Sequence, residues 1–368
     1  MEAAANLLPE RPSTVAVALS GGVDSSLAAL LLAQAGHRVS GVMMRLWVDE
    51  AVRGNAPSGE ESARQLCQRL GIPFQVLDLR DEFRREVVSY FGAEYARGRT
   101  PNPCLACNRQ IKFGALWRWA QAQGAEYLAT GHYARRRLVD GAYQLVRAAD
   151  RRKDQSYVLY MLGQETLAHT LFPLGDLTKG QVRQAAEAAG LAAAQRPESQ
   201  EICFIPDDDY RGFLGRHYPE AIRPGPIHDT AGREIGQHAG LPFYTVGQRK
   251  GLGIAAPEPL YVIEIDAARN RLVVGPAAEL GRRALRAEQV RFVSGQPPDG
   301  PRRIMAKIRY RAREAAATLH PEPPDSALVI LDEPLRDISP GQAVVFYDGE
   351  IVLGGGLIER ALSQEEWP

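Results

Sequence analysis

A chain of 368 residues, 45% of them hydrophobic, is long enough for two or three domains and apolar enough to bury large cores. Its 44 lysines and arginines balance 44 aspartates and glutamates, which excludes a global positive field as the means of holding nucleic acid and leaves only local patches for that purpose. Four cysteines are too few for a secreted framework, no window gives an uninterrupted apolar span of membrane length, and the first residues lack a basic leader with an apolar core. The expectation is a cytoplasmic protein with no membrane partner.

In chain order, VAVAL (15–19) reads as a buried strand, SGGVDSS (20–26) as a turn, and the apolar run after it as a helix that Gly36 ends. A second strand begins in HRVSGVMMRLW (37–47), EESARQLCQRLG (60–71) is helical, FQVLDL (74–79) is a strand, and residues 116–133 repeat the alternation. Alternation of this kind predicts an α/β domain with a parallel sheet covered by helices, over residues 1–205. Residues 206–279, rich in glycine and proline, suggest a small linking domain. Beyond 280, the runs MAKIRYRA (305–312), SALVILDE (326–333), QAVVFYDGE (342–350) and IVLGGGLIE (351–359) predict a C-terminal β-barrel over 280–368.

Strand, glycine turn and helix together make a phosphate-binding arrangement, because glycines admit close backbone approach and a helix start favours negative charge. The turn is not a Walker A loop, since no lysine follows its glycines, and it lacks dinucleotide-fingerprint spacing. Asp24 would repel a pyrophosphate unless a cation lay between them, so the anion reading implies Mg²⁺. The competing reading is a tight turn that merely caps a helix.

The segment GRTPNPCLACNRQIKF (98–113) presents Cys104 and Cys107 as a CxxC pair, with Arg109 and Lys112 as nearby positive charge that favours thiolates. Cys203 lies far off in ESQEICFIPDDDY. These residues alone leave three roles open for the trio: structural, metal or iron-sulfur ligation, and redox or sulfur transfer. Cys67 falls on an apolar helix face and reads as core. Lys307, Arg309, Arg311 and Arg313 would share one face of a strand and form a stripe for a phosphate backbone, with basic triplets at 135–137, 151–153 and 248–250 adding local charge.

SGGVDSS resembles the pyrophosphate loop of the ATP pyrophosphatases, in the adenine nucleotide alpha hydrolase-like class. Taken with TPNPCLACNRQIKF, ATGHYAR, KDQSYVLY, ICFI, TVGQRKGLGI, RYR and PGQAVVFYDGEIVLGGG, the chain resembles the tRNA-specific 2-thiouridylases over nearly its whole length. That resemblance implies adenylation of the 2-oxygen of a wobble uridine by ATP with Mg²⁺, then replacement by sulfur, on a tRNA anticodon stem-loop. It implies nucleotide contacts at Ala18, Leu19, Ser20, Gly21, Gly22, Val23, Asp24, Ser25, Met44 and Gly131. Contacts to tRNA are implied at Asn102, Pro103, Cys104, His132, Lys153, Asp154, Gln155, Arg309, Tyr310 and Gln342. His132 either faces substrate or satisfies a core hydrogen bond, and is not taken as the general base.

Cys107 takes the family's first catalytic position and Cys203 the second, which receives persulfide sulfur from an upstream donor and ends in a disulfide with Cys107. Many members carry aspartate where this chain has Cys104, so an acid-base role for that carboxylate does not transfer. The substitution also gives a third thiol: Cys104, Cys107 and Cys203 could hold three irons of a 4Fe-4S cluster whose open iron binds sulfide, as in the cluster-dependent branch of tRNA thiolation enzymes. Persulfide and cluster delivery both stay open on sequence. The competing functions are an adenylating, amide-forming ligase of a small molecule, in which the cysteines would be dispensable, and a noncatalytic RNA-binding module. Oligomeric state is not legible.

Overall fold

The computed structural model describes residues 8–52, 59–195 and 202–367. Residues 1–7 and the polar start of the Cys203 segment at 196–201 lie outside the described residues. Strand β1 (Thr14–Leu19) buries Val15, Ala16 and Val17 completely, as expected for a strand covered on both faces. It is the third strand of a five-stranded sheet built from β2 (Arg38–Arg45), β3 (Phe74–Asp78), β4 (Tyr127–Ala129) and β7 (Thr170–Leu171), in the order β3-β2-β1-β4-β7 with every pairing parallel. Helices α1 (Val23–Gln34), α2 (Gly59–Leu70) and α3 (Lys179–Ala188) pack around it, α1 against both others. Cys67 of α2 is buried, its Sγ so close to β2 that a Cβ on Gly41 would meet it at 2.5 Å, and burial pushes the thiol up to about 11.

The strand order reverses at β1. The connection after β1 leads to β2 on one side, while β4 lies on the other, which opens a crevice at the carboxyl ends of β1 and β4, where ligands bind in open α/β sheets. The SGGVDSS turn follows β1 and the turn Thr130–His132 follows β4, so both fall at this point.

A four-stranded middle sheet (Gly225–Asp229, Glu234–His238, Leu260–Asp266, Arg271–Pro276) follows. The last six strands close into a barrel, because Arg282–Phe292 pairs with both Ser326–Leu335 and Ile351–Leu362. Strands β5 (Ala134–Val139) and β6 (Ala142–Arg147) form a hairpin of the N-terminal part, yet β6 pairs with Ile351 and Val352, so the hairpin extends the barrel sheet. That explains the basic triplet at 135–137. Arg136, only 2% exposed, donates to the carbonyls of Leu167 and Ala168, and Arg135 and Arg137 meet Glu350 of the barrel at 3.1 and 3.3 Å. Arg135 and Arg137 thus join domains, Arg136 is held within its own, and the triplet is not a solvated surface.

The predicted basic stripe does not form. The strand Arg302–Lys307 ends before Arg309, which lies in a turn, so the alternation needed to align Lys307, Arg309, Arg311 and Arg313 is lost. Arg302 and Arg303 pair with Asp348 and Asp332.

Candidate active site

The nucleotide loop is built by close backbone approach. Gly21 has a φ of +76°, and a Cβ there would stand 2.5 Å from the backbone of Gly59 at the start of α2. On the other side, a Cβ on Gly131 would lie 2.7 Å from the Ser25 nitrogen and 2.9 Å from the Asp24 carbonyl carbon. Side chains inside the loop hold its shape: Ser20 N–H donates to Ser25 Oγ at 3.1 Å, and the Ser25 and Ser26 hydroxyls donate to the Gly22 carbonyl at 3.2 and 2.9 Å. Gly22 is the N-cap of α1 and offers no capping side chain, which leaves the first amides of a 12-residue helix for an anion. Ala18, Leu19 and Val23 are the strand end and helix start that carry this loop, and Met44 sits half-buried near the end of β2.

Asp24 is held from two sides. Lys179 Nζ lies 2.7 and 2.9 Å from its two oxygens, and Tyr133 Oη donates to Oδ1 at 2.7 Å. The lysine missing from the loop therefore arrives from α3. Nothing in the local sequence marks Lys179, although Thr178 and Gln181 announce the helix start through a capping box.

Cys104 and Cys107 enter on a helical run. Asn102 caps it by accepting from the Cys104 N–H at 3.1 Å, and Pro103 occupies the first turn, where its missing N–H costs nothing. The run continues as a π-helix, Cys107–Leu116, of the kind often found at functional sites. Cys203 is positioned by its neighbour Phe204, which is fully buried among Trp47, Phe83, Phe91 and Phe213. Cys104 and Cys203 face solvent, Cys107 is buried, and all are free thiols. The protein around them nevertheless desolvates the thiolates and pushes all three up, Cys203 to about 12, with its Cys107 and Cys104 neighbours adding to the rise.

One cation opposes that rise at all three sulfurs: Lys112. Among the described residues no carboxylate pairs with it. Its partner is His132 Nε2 at 3.4 Å, while His132 Nδ1 meets Thr130 Oγ1 at 2.8 Å. An ammonium can only donate, so Nε2 accepts and Nδ1 carries the proton. Burial and then the Lys112 charge hold His132 well below its ordinary range, hence neutral, which suits a positioning role and not that of a cationic acid.

The expected tRNA contacts divide into two groups. Tyr310 is 36% exposed, with Lys307 over its ring at 5.8 Å and Cys104 near enough to influence its hydroxyl. Lys153 is half-buried in the turn after β6. The others serve internal contacts. Asp154 is buried and accepts from the Ala148 and Ser156 amides and the Ser156 hydroxyl, and Gln155 exchanges bonds with the Tyr133 backbone. Gln342 Nε2 donates to the Thr100 carbonyl at 2.8 Å. Arg309 reaches the Val246 carbonyl, Ser339 and Asp337, and Thr100 meets Thr245 at 3.2 Å. Barrel and middle domain thus clasp the strand of chain that leads into Asn102 and Cys104.

The 4Fe-4S expectation fares differently. Among the described residues, no group of three or more His, Cys, Asp or Glu side chains is arranged to hold a metal ion. The three thiols share a neighbourhood without forming a ligand set.

Residues 13–207 match the profile described as tRNA methyl transferase HUP domain, 211–276 that of the tRNA methyl transferase PRC-barrel domain, and 282–358 that of the aminomethyltransferase beta-barrel domain. Fold and loop together define a HUP-domain protein with two appended β domains. The chain is 53% identical over 367 residues to the tRNA-specific 2-thiouridylase MnmA of Roseiflexus castenholzii, across 94% of this chain and 99% of that one. It is 52% identical over 354 residues to that of Moorella thermoacetica, across 93% and 98%. It belongs to the tRNA-specific 2-thiouridylase family. Among solved structures, the U34-tRNA thiolase NcsA from Methanococcus maripaludis with its 4Fe-4S cluster is similar over 57% of this chain and 68% of its own, at 22% identity and a TM-score of 0.36, too slight to bear on the chemistry.

Proposed function

We propose that this chain is an ATP-dependent tRNA 2-thiouridylase that adenylates the 2-oxygen of a wobble uridine and replaces it with sulfur. The observation that carries the reading is the turn Thr130–His132. Gly131 packs on Asp24 and Ser25 of the nucleotide loop, while His132 beside it bonds Lys112, the cation shared by Cys104, Cys107 and Cys203. One turn thus joins a phosphate site to a thiol site, as a two-stage reaction requires.

In the first stage the uridine 2-oxygen attacks the α-phosphorus of ATP and pyrophosphate leaves, with the α1 amides meeting the phosphates. Mg²⁺ bound with the triphosphate would supply charge neutralisation, and Asp24 is the carboxylate in the loop that would face it. In the second stage, the terminal sulfur of a Cys203 persulfide attacks the activated carbon and AMP leaves. Cys107 thiolate then attacks the Cys203 sulfur, the S–S bond breaks toward the base to give the thiocarbonyl, and a Cys107–Cys203 disulfide remains for a dithiol reductant. Lys112 favours each thiolate, and Tyr310 offers an exposed ring on which an extruded base can stack. These steps use only the chain's own thiols and the persulfide donor. Phosphate-rich tRNA, an upstream persulfide donor and ATP are the partners.

The test is to supply unmodified tRNA, ATP and a persulfide donor, and to follow 2-thiouridine, AMP and pyrophosphate. Cys107→Ser and Cys203→Ser should each abolish thiouridine while AMP formation persists. ATP-pyrophosphate exchange driven by a small molecule, indifferent to both variants, would instead support an amide-forming ligase.

A further inference from the structure

Asp49 lies on the chain that leaves β2 and is only 2% exposed, so its carboxylate needs partners for both oxygens. Oδ2 accepts from Arg216 Nε at 3.0 Å and Nη2 at 2.8 Å, while Oδ1 accepts from the Ala51 N–H at 3.2 Å and has His217 Nε2 at the same distance. Arg216 and His217 close the last turn of a further helix, α4 (Tyr210–His217), where cations offset the unpaired carbonyls of the helix end. Burial alone would raise the Asp49 pKa, but the hydrogen bonds from Arg216, His217 and the Ala51 amide hold it below the ordinary carboxylate range, so the group is charged at neutral pH. The Asp49 main chain makes a second connection: its N–H donates to the carbonyl of Phe204, the residue after Cys203, at 3.3 Å. Arg216 also faces Asp207 at 3.9 Å, within the chain that joins Cys203 to α4. Two residues before Asp49, Trp47 packs edge-on against Phe213 and His217 of the same helix.

We infer that Asp49 is a positioning residue for sulfur transfer: through Arg216 and the Phe204 carbonyl it fixes the Cys203 segment against the parallel sheet, so that the Cys203 sulfur stands where Cys107 can meet it. The buried Phe204 ring gives the segment affinity for its place but no fixed orientation, because apolar contact is non-directional. A charge-assisted pair and a main-chain hydrogen bond from one residue supply that orientation. Asp49 touches no reacting atom and acts only through Cys203. The inference rests on the reading of Cys107 and Cys203 as the sulfur-transfer pair.

Asp49→Asn, Arg216→Met and their double variant test it, with Glu50→Gln, the exposed carboxylate next door, as control. One readout compares 2-thiouridine formation with ATP-pyrophosphate exchange on the same tRNA. The other is the equilibrium in glutathione buffer by which Cys107 and Cys203 form their disulfide as one glutathione disulfide becomes two glutathiones, mapped by peptide mass spectrometry. Its constant reads the effective concentration of one sulfur at the other. Asp49→Asn should lower both thiouridine formation and that constant by about tenfold or more, with exchange within about twofold of wild type. Arg216→Met should do the same, the double variant should lose no more than either single one, and Glu50→Gln should match wild type. Should Asp49→Asn fail to fold, Arg216→Met carries both readouts alone. A folded variant with the wild-type disulfide constant, or with both half-reactions reduced alike, would mean that the carboxylate is merely structural and would overturn the inference. Additive losses in the double variant would overturn the route through Arg216. Wild-type protein that forms neither thiouridine nor the Cys107–Cys203 disulfide would overturn the reading of the thiol pair itself, a failure visible before any variant is made.

Discussion

The position of Cys203 depends on the side chain next to it. Phe204 is fully buried, with ring centroids of Phe91, Phe213, Phe83 and Trp47 at 5.4, 5.5, 5.8 and 6.4 Å, and its carbonyl accepts from the Asp49 N–H at 3.3 Å. Truncation to alanine removes a whole ring from this cluster and should cost about 3–5 kcal/mol of local packing, enough to release the segment while the parallel sheet stays folded. A displacement of about 1 Å at a reacting sulfur can cost about 100-fold. Phe204→Ala should therefore lower thiouridine formation by about 10- to 100-fold and leave ATP-pyrophosphate exchange within about twofold. Phe204→Leu, which keeps most of the volume, should lose much less. The assay follows both half-reactions on the same tRNA, with thermal unfolding as the control for the fold. Equal loss of both half-reactions in a folded variant, or full thiolation by Phe204→Ala, would refute the anchoring argument.

Gly131→Ala forces a methyl to within 2.7 Å of loop backbone, an overpacking worth about 1–3 kcal/mol, and should weaken ATP binding measured by calorimetry. Because the Cys203 thiol is pushed up to about 12, its alkylation by iodoacetamide should keep accelerating from about pH 8 to about pH 11, where an ordinary thiol levels off, and Lys112→Met should slow it further. Peptide mass mapping reads both effects. Arg309→Ala should impair thiolation by loosening the clasp on Thr100, while leaving the salt slope of tRNA binding unchanged, because its guanidinium is held by Val246, Ser339 and Asp337. A slope smaller by about one would mean that Arg309 contacts a phosphate directly.

Segments whose structure depends on neighbours in sequence were legible. VAVAL had to be a buried strand and SGGVDSS a glycine turn before a helix, since the causes are local, whereas the PNPC run, whose two prolines suggest an ordered loop, is instead a helix start that Asn102 caps. Residues joined only by the fold were not. Lys179 and Asp24 meet because α3 packs on α1, and no periodicity in either segment foretells it. The basic stripe failed for a related reason: alternation across Lys307 to Arg313 requires a strand, and the chain turns after Lys307 so that Arg309 can reach the middle domain. Arginines 135–137 looked like surface charge because hydropathy cannot tell a solvated hairpin from one that completes another domain's sheet. Asp154, read as a tRNA contact, is occupied by its own turn, a competition that Asp and Ser two residues apart regularly enter.

The central claim is that the oxygen removed from uridine leaves on AMP. A tRNA carrying ¹⁸O at the 2-position of its wobble uridine, incubated with the protein, ATP and a persulfide donor, measures this directly by mass spectrometry of nucleosides and nucleotides. The account predicts one labelled oxygen in each AMP formed, in step with 2-thiouridine. Unlabelled AMP alongside 2-thiouridine, or labelled water in its place, would contradict adenylation at that oxygen.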